Sequence, residues 1–306
     1  MRVINSRLLD MAQGQRPAEL VLKNARVIDV FNEEIDSTDL ALAQGLILGT
    51  GEYQGEKELD LKGSYIAHGL IDGHLHLESA MVQVEEMARQ IIRLGTTTIV
   101  ADPHEIANVA GLNGIKYLLQ EGKKQPWNFN LMLPSCVPST EFETTGAHLS
   151  AESLAELMAE DGIFGLGEVM DFPGVINGNP SIWNKLDLFQ DRFIDGHSPE
   201  VKGKDLNTYL LGGIMADHEC TTAREAHDLK QLLPAVNDGN NSYFLFATDD
   251  RHPGDLIKEG HINFVVQKAI KNGMDPLRAI KLATINSARA LGIDNIGALA
   301  PGYKAD

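Results

Sequence analysis

The chain has 306 residues, a formal net charge of −17 and 43% apolar residues. This length predicts one to three domains with a substantial core, and the ordinary composition excludes extensive disorder. The acidic balance excludes binding along a nucleic-acid backbone, which needs a basic face, but not capture of a small uncharged nucleobase in a pocket.

No apolar run reaches the roughly 18 residues of a membrane helix, so no membrane association is expected. The first residues, MRVINSRLLDMAQGQ, have no apolar core followed by a cleavage-like site. Cys136 and Cys220 are far apart and neither lies in a CxxC, so they form no disulfide framework. A cytoplasmic protein is expected.

Residues 19 to 66 are rich in turns and hold short strand-like runs, ELVLKNARVIDVF, DLALAQGLILGTG and KELDLKGSYIAHG. They predict a small β subdomain, with residues 1–66 as the N-terminal part of the chain. From Gly69 the texture changes. Seven apolar runs follow: LIDGHLH, TTTIVADPH, NFNLMLPS, IFGLGEVM, RFIDGHS, GIMADHEC and YFLFATDD. Amphipathic helical stretches separate most of them, among them VQVEEMARQIIRL, AESLAELMAED and GDLIKEGHINFVVQKAI. Such alternation predicts a parallel sheet covered by helices. The number of strands favours a TIM-type (β/α) barrel over residues 67–291, with 292–306 beginning a return to the β subdomain. Neither GxGxxG nor GxxxxGK[ST] follows any of these strands, so dinucleotide and P-loop readings have no support.

Most strands end in acidic or metal-capable residues: His74 and His76, His104 and Glu105, Glu168, His197, His218, and Asp249 with Asp250. In a βα barrel the C-terminal strand ends form one rim, and catalytic residues collect there. Each residue also has a plain reading. A lone strand-end histidine is more often a hydrogen-bonded structural group. A lone carboxylate often caps a helix or turn, as Asp250 before RHPGD could. His148 and His227 read as structural, and His261 as a packing or surface residue within a helix. His252 can be read either way, and Cys220 is either packing or a site-facing thiol. The pair His74 and His76 differs, because residues i and i+2 of a strand share a face and can bind one metal. HxH alone is a modest signal; with a middle-strand carboxylate, two single histidines and a late aspartate it becomes a strong one. Histidine and carboxylate suit zinc, manganese or iron.

The chain resembles the amidohydrolase superfamily, and within it the adenine deaminase family. The motifs are GLIDGHLHLES (69–79), TTTIVADPHEIANVAG (96–111), LMLPSCVPST (131–140), GLGEVMDFPGVI (165–176), DGHSP (195–199), DHECTT (217–222) and ATDDRHPGDL (247–256). The resemblance runs from about Glu19 to the end. It implies that His74 and His76 bind one of two divalent metals, manganese or iron before zinc. It implies that Glu168 bridges the two metals, where many relatives use a carbamylated lysine, and that His197 and His218 bind the second. Asp249 would bind the first metal and shuttle protons, with Asp250 as the alternative one position on. The implied reaction is hydrolysis of adenine to hypoxanthine and ammonia by a metal-activated hydroxide, with Asp249, Glu168 and His218 as catalytic groups. Glu78, His104, Glu105, Ser135 and Asp250 are secondary candidates for orienting the purine, alongside ordinary hydrogen-bonding or capping roles. Relatives suggest a homo-oligomer. The HxE and PCxxC of cytidine-deaminase zinc sites are absent.

Two departures from the family pattern stand out. The stretch TTAREAHDLKQLLPAVNDGNN, between the sixth and last runs, holds one crossover of ten to twelve residues. It cannot also hold the strand the family has there, so the barrel is expected one strand short. The chain stops at GALAPGYKAD, where the family continues. A truncated and internally deleted deaminase is therefore expected. The alternatives are an inactive remnant that binds metal, purine or a partner chain, and a cyclic-amide hydrolase; GLGEVM disfavours the latter, whose members carry lysine at Glu168.

Overall fold

The computed structural model describes residues 5–140, 142–219, 236 and 239–306. They divide into two units, Met1–Ile71 with Asn237–Leu245 and Gly273–Asp306, and Asp72–Val236 with Phe246–Asn272.

In the first unit, Asn5 caps the helix Ser6–Ala12 by accepting from the Leu8 amide at 2.9 Å. Five strands follow: β1 Ala18–Asp29, β2 Glu34–Ala43, β3 Leu46–Thr50, β4 Gly55–Asp60 and β5 Tyr65–Ile66. Their order is β3-β2-β1-β4, with β5 also on β1. The first three pair antiparallel, while β4 and β5 run parallel to β1. Ala18, Val21, Ala41 and Ala43 are buried in one cluster with Leu8 and Met11 of the helix. Burying an aliphatic side chain such as Leu8 or Val21 stabilises the unit by about 1.5–3 kcal/mol. The charged run GEKELD of β4 stays largely exposed, as suits the rim of a sheet. Residues 302–305 lie antiparallel along β3, with Ile47 donating to Tyr303 O and Gly302 to Ile47 O, both at 2.9 Å.

The second sheet contains β6 Leu70–Leu75, β7 Thr96–Ala101, β8 Asn128–Leu133, β9 Ile163–Val169 and β10 Phe193–Gly196, in the order β10-β9-β8-β7-β6. The pairs β7–β8, β8–β9 and β9–β10 are parallel. Helices Val84–Arg93, His104–Lys123, Ala151–Ala155, Phe172–Asn177, Pro180–Leu188 and Gly203–Leu211 alternate with the strands. The result is an incomplete barrel of the TIM type. Helix Val84–Arg93 shows how sequence dictates packing: Val84, Met87, Ala88 and Ile91 recur at helical spacing and all four are buried. Acidic Glu85 and Glu86 in its first turn and Arg93 in its last complement the helix dipole. With Ile99, Leu131, Leu166 and Ile194 from the strands, these helices close one core.

Three local expectations change. The sixth and seventh apolar runs form extended segments rather than strands. Met215 donates to Ile194 O at 2.9 Å, and Asp249 pairs with Leu75 in an isolated parallel bridge. Among the described residues, each segment has a sheet neighbour on one side only, which leaves too few ladder bonds for a strand. Most of the stretch expected to lack a strand, residues 220–235 and 237–238 with Cys220 and His227, lies outside the described residues. Finally, GDLIKEGHINFVVQKAI breaks into helices Pro253–Lys258 and Ile262–Lys271 at Gly260, whose φ of 112° is open to glycine but not to most residues. His261 therefore caps the second helix, fully buried, instead of lying within a helix. Among the described residues, no helix is long and apolar enough to cross a membrane.

Candidate metal centre

His74 lies near the end of β6 and His76 one residue past it, with the i, i+2 spacing that continues one strand face, and both rings are buried. Their Nε2 atoms are 3.1 Å apart. Each ring turns its other nitrogen to an acceptor: His74 Nδ1 lies 2.7 Å from Asp195 Oδ2, and His76 Nδ1 lies 3.0 Å from the Asp102 carbonyl. Those partners favour a proton on Nδ1 and leave both Nε2 lone pairs aimed at one small volume. Asp249 Oδ1 faces the same volume, 3.3 Å from His76 Nε2 and 3.8 Å from His74 Nε2.

Glu168 near the end of β9 is 2% exposed and lies among four imidazoles. Its Oε1 is 3.3 Å from His76 Nε2 and 3.1 Å from His104 Nδ1. Its Oε2 is 2.7 Å from His197 Nδ1 and 3.2 Å from His218 Nε2. One carboxylate thus has one oxygen toward the β6 pair and the other toward the His197–His218 pair. Its backbone is held as well: the Glu168 amide donates to Asp102 Oδ2 at 2.8 Å, and the Ser135 hydroxyl donates to Glu168 O. His197 is fixed through its amide, which donates to the Tyr209 hydroxyl at 2.9 Å; that hydroxyl donates in turn to Val169 O. His218 stacks on His74 with ring centroids 3.9 Å apart, and Asp195 Oδ2 faces the edge of both rings, 2.7 Å from His74 Nδ1 and 3.7 Å from His218 Nδ1.

The electrostatics are those of buried carboxylates surrounded by bases. Burial alone would raise the Glu168 pKa, but His104, His197 and His218 hold it well below the usual carboxylate range. Burial alone would lower His104 and His218. Facing carboxylates outweigh it and push both up to about 11, Asp102 and Glu168 for the first, Asp195 and Glu168 for the second. Asp249 is held low against the same burial effect by His76, His74 and His218. The carboxylates therefore demand positive charge, which either protonated imidazoles or cations can supply.

The donors fit divalent cations. Groups able to converge on one ion are His74, His76 and Asp249; His74, Glu168 and His218; His76, His104 and Glu168; and His197, His218 and Glu219. The buried Nδ1 atoms of His104, His197 and His218 make no hydrogen bond of good angular geometry, although a carboxylate oxygen faces each at 3.1, 2.7 and 3.7 Å. Imidazole nitrogen mixed with carboxylate oxygen suits manganese, iron or zinc.

The structure gathers all six expected ligands, His74, His76, Glu168, His197, His218 and Asp249. Asp250 instead turns to the Ser79 hydroxyl. Glu78 and Glu105 lie beside His76, with Glu78 Oε1 accepting from the Ile106 amide and Glu105 Oε2 3.9 Å from His76 Nδ1. His104 joins the Glu168 cluster, and Ser135 is committed to the backbone of Glu168. His252 is exposed, and so is His148, beside Leu149 rather than at this cluster. Sequence reasoning missed Asp102, Asp195, Glu219 and Tyr209. The first two end strands in ADPH and IDGH and could have been marked by the same rule that marked the histidines.

A model of the amidohydrolase family matches residues 65–233 and 221–306. An adenine deaminase of Petrotoga mobilis is 58% identical over a 320-residue alignment covering 99% of this chain and 56% of that protein. Adenine deaminase 2 of Carboxydothermus hydrogenoformans is 46% identical, covering 98% of this chain and 56% of the relative. The chain thus spans a little over half the length of these curated relatives. The first alignment is longer than the chain's 306 residues, so the relative has residues within the matched region that this chain lacks. Among solved structures, an N-acetylglucosamine-6-phosphate deacetylase from Thermotoga maritima superposes with a TM-score of 0.62 at 14% identity, covering 94% of this chain and 93% of that one. An L-hydantoinase from Arthrobacter aurescens gives 0.56 at 12% identity, covering 94% and 86%.

Proposed function

The chain belongs to the amidohydrolase family, and from that premise we propose that it hydrolyses adenine to hypoxanthine and ammonia. The observation that carries this reading is the 58% identity to an adenine deaminase. The carboxylate of Glu168 between two imidazole pairs supports it.

His74, His76 and Asp249 would hold one divalent cation, His197 and His218 a second, with Glu168 shared between them. Bound cations supply Lewis acidity that lowers the pKa of water toward about 7. Manganese or iron is our assignment, with zinc compatible with the same donors. Asp249 is the proton carrier. Its carboxylate, held low and therefore ionised, takes a proton from the attacking water and passes it toward the ring nitrogen and leaving amine. A C–O bond forms at the ring carbon, the C–N bond breaks, and ammonia leaves. Glu168 has both oxygens engaged and serves to hold charge. His218 orients the second pair through its contacts with Asp195 and Glu168. Glu78, Glu105, His104 and Asp250 form the acidic and imidazole edge against which the purine is oriented. We assign this chemistry to the barrel over residues 67–291, in a cytoplasmic homo-oligomer.

The test is turnover by purified protein loaded with manganese. Hypoxanthine and ammonia formed in equal amounts support the proposal. Two bound metal ions with no hypoxanthine would leave a metal-binding remnant and overturn it.

A further inference from the structure

Asp72 is wholly buried two residues before His74 on β6, and no step of the proposed reaction uses it. Its Oδ1 accepts from the Thr248 amide at 3.1 Å and from the His74 amide at 3.3 Å. Its Oδ2 accepts from the Thr248 hydroxyl and lies 3.2 Å from His261 Nε2. The other nitrogen of His261, Nδ1, is 3.0 Å from the Thr96 hydroxyl at the start of β7. Asp72, Thr96 and His261 are all 0% exposed. The network is closed: one carboxylate binds the strand that carries the histidine pair and the turn that carries Asp249, and a buried imidazole braces it from behind.

That turn needs a clamp. Residues 246–249 meet residues 73–76 through three backbone hydrogen bonds, Gly73 to Phe246 O at 3.4 Å, Asp249 to His74 O at 3.0 Å and His76 to Asp249 O at 3.4 Å, which amount to one isolated bridge and no continuous ladder. Asp249 itself has φ 54°, a left-handed conformation that costs a non-glycine residue of order 1 kcal/mol and persists only when its surroundings impose it. Its own amide and carbonyl bond to the chain at His74 and His76, and those bonds leave its side chain free to turn. Here Thr248, the residue before it, is gripped by both its amide and its hydroxyl.

We propose that Asp72, braced by His261, is a positioning residue that fastens the Thr248–Asp249 turn to β6 and so sets the Asp249 carboxylate over the His74–His76 pair. This rests on the ligand set proposed above and not on adenine as substrate. Groups that orient metal ligands typically contribute about 10- to 100-fold to metal affinity. The effect here is confined to the cation site that includes Asp249, because Asp72 touches no side chain of the His197–His218 pair.

The experiment is a titration of metal-free protein with Mn2+, followed by the signal of free Mn2+, for wild type, Asp72→Asn and the milder Thr248→Val. Two bound ions in wild type, with one weakened about 10- to 100-fold in both variants and the other unchanged, support the clamp. In an Asp249→Ala background Asp72→Asn should weaken binding no further, since the group it positions is gone. A residue with a merely structural role would weaken both ions together, or neither. Should Asp72→Asn fail to fold, Thr248→Val, which removes one hydroxyl, decides alone. Wild type that binds fewer than two ions overturns the ligand set, and the clamp with it. Two ions in wild type with unchanged or uniformly weakened variants overturn the clamp alone.

Discussion

Gly167 lies flat against the Asp102 carboxylate: a Cβ built on Gly167 would meet Asp102 Oδ2 at 2.2 Å. That oxygen is the acceptor of the Glu168 amide. The glycine before Glu168 is therefore the space in which the backbone support of that carboxylate rests. Gly167→Ala must push Asp102 or β9 aside. Overpacking of this kind costs about 1–3 kcal/mol, and we expect that loss in urea denaturation together with weaker Mn2+ binding. Unchanged stability would show that the carboxylate has room to move.

Removing metal should destabilise the protein. A cation present at 100 times its Kd adds about 2.7 kcal/mol when only the folded state binds it. Chelator treatment should lower the thermal midpoint by several degrees and added Mn2+ should restore it. In His74→Ala/His76→Ala the response to Mn2+ should shrink, read by calorimetry on matched samples.

The two adjacent aspartates are expected to separate kinetically. Asp249 faces both Nε2 atoms of the β6 pair, whereas Asp250 turns to Ser79. Asp249→Asn should lower kcat by roughly 10²–10⁴, the usual range for a lost general base. Asp250→Asn should act on KM. Equal kcat losses from both would contradict the assignment of the proton carrier.

Tyr209→Phe tests the support of His197. The hydroxyl is buried, accepting from the His197 amide and donating to Val169 O, both at 2.9 Å. Its loss strands one donor and one acceptor, at a cost of about 1–3 kcal/mol for each buried group left unmatched. Lower stability, with weakening of one of two Mn2+ ions, is the expected result of denaturation and metal titration.

Stability should also carry a pH signature from His261. Burial first, and the charge of Arg251 second, push its pKa down to about 3. The unfolded chain takes up a proton near pH 6.5 that the folded protein refuses. This contribution is therefore complete above about pH 6.5 and falls away as pH drops toward 3, with a slope of up to about 1.4 kcal/mol per pH unit. The stability difference between wild type and His261→Asn should grow with pH across that window. A flat difference in urea denaturation would mean that the ring is already protonated in the fold.

The alternation of strands and helices was legible because period-2 and period-3.6 patterns follow directly from side-chain direction. The histidine pair was legible for the same reason, since His74 in β6 and His76 just past its end keep the two-residue spacing of one strand face. Asp102 and Asp195 were harder to see. A single buried aspartate at a strand end looks in sequence like a cap, and only the fold shows one under the Glu168 amide and the other under two imidazoles. Apolar runs also misled where they described burial rather than pairing. GIMA and FLFA have the residues of strands, but a strand needs neighbours, and the hydrophobic pattern does not count them. Gly260 signalled a break, yet the helical spacing on either side masked it.

The first unit draws its parts from Met1–Ile71, Asn237–Leu245 and Gly273–Asp306. Its small sheet is complete in strands early in synthesis, but Ile28 and Val30 await Ile285 and Ala298, with which they share a buried cluster. Chains are made from the N-terminus at about 5–20 residues per second, so that apolar face stays uncovered for the time needed to make the whole intervening segment. Closing so long a loop is also entropically slow. The exposed interval leaves the apolar face over Ile28 and Val30 open to association with other chains, and folding yield should depend on how quickly residues 273–298 arrive to cover it.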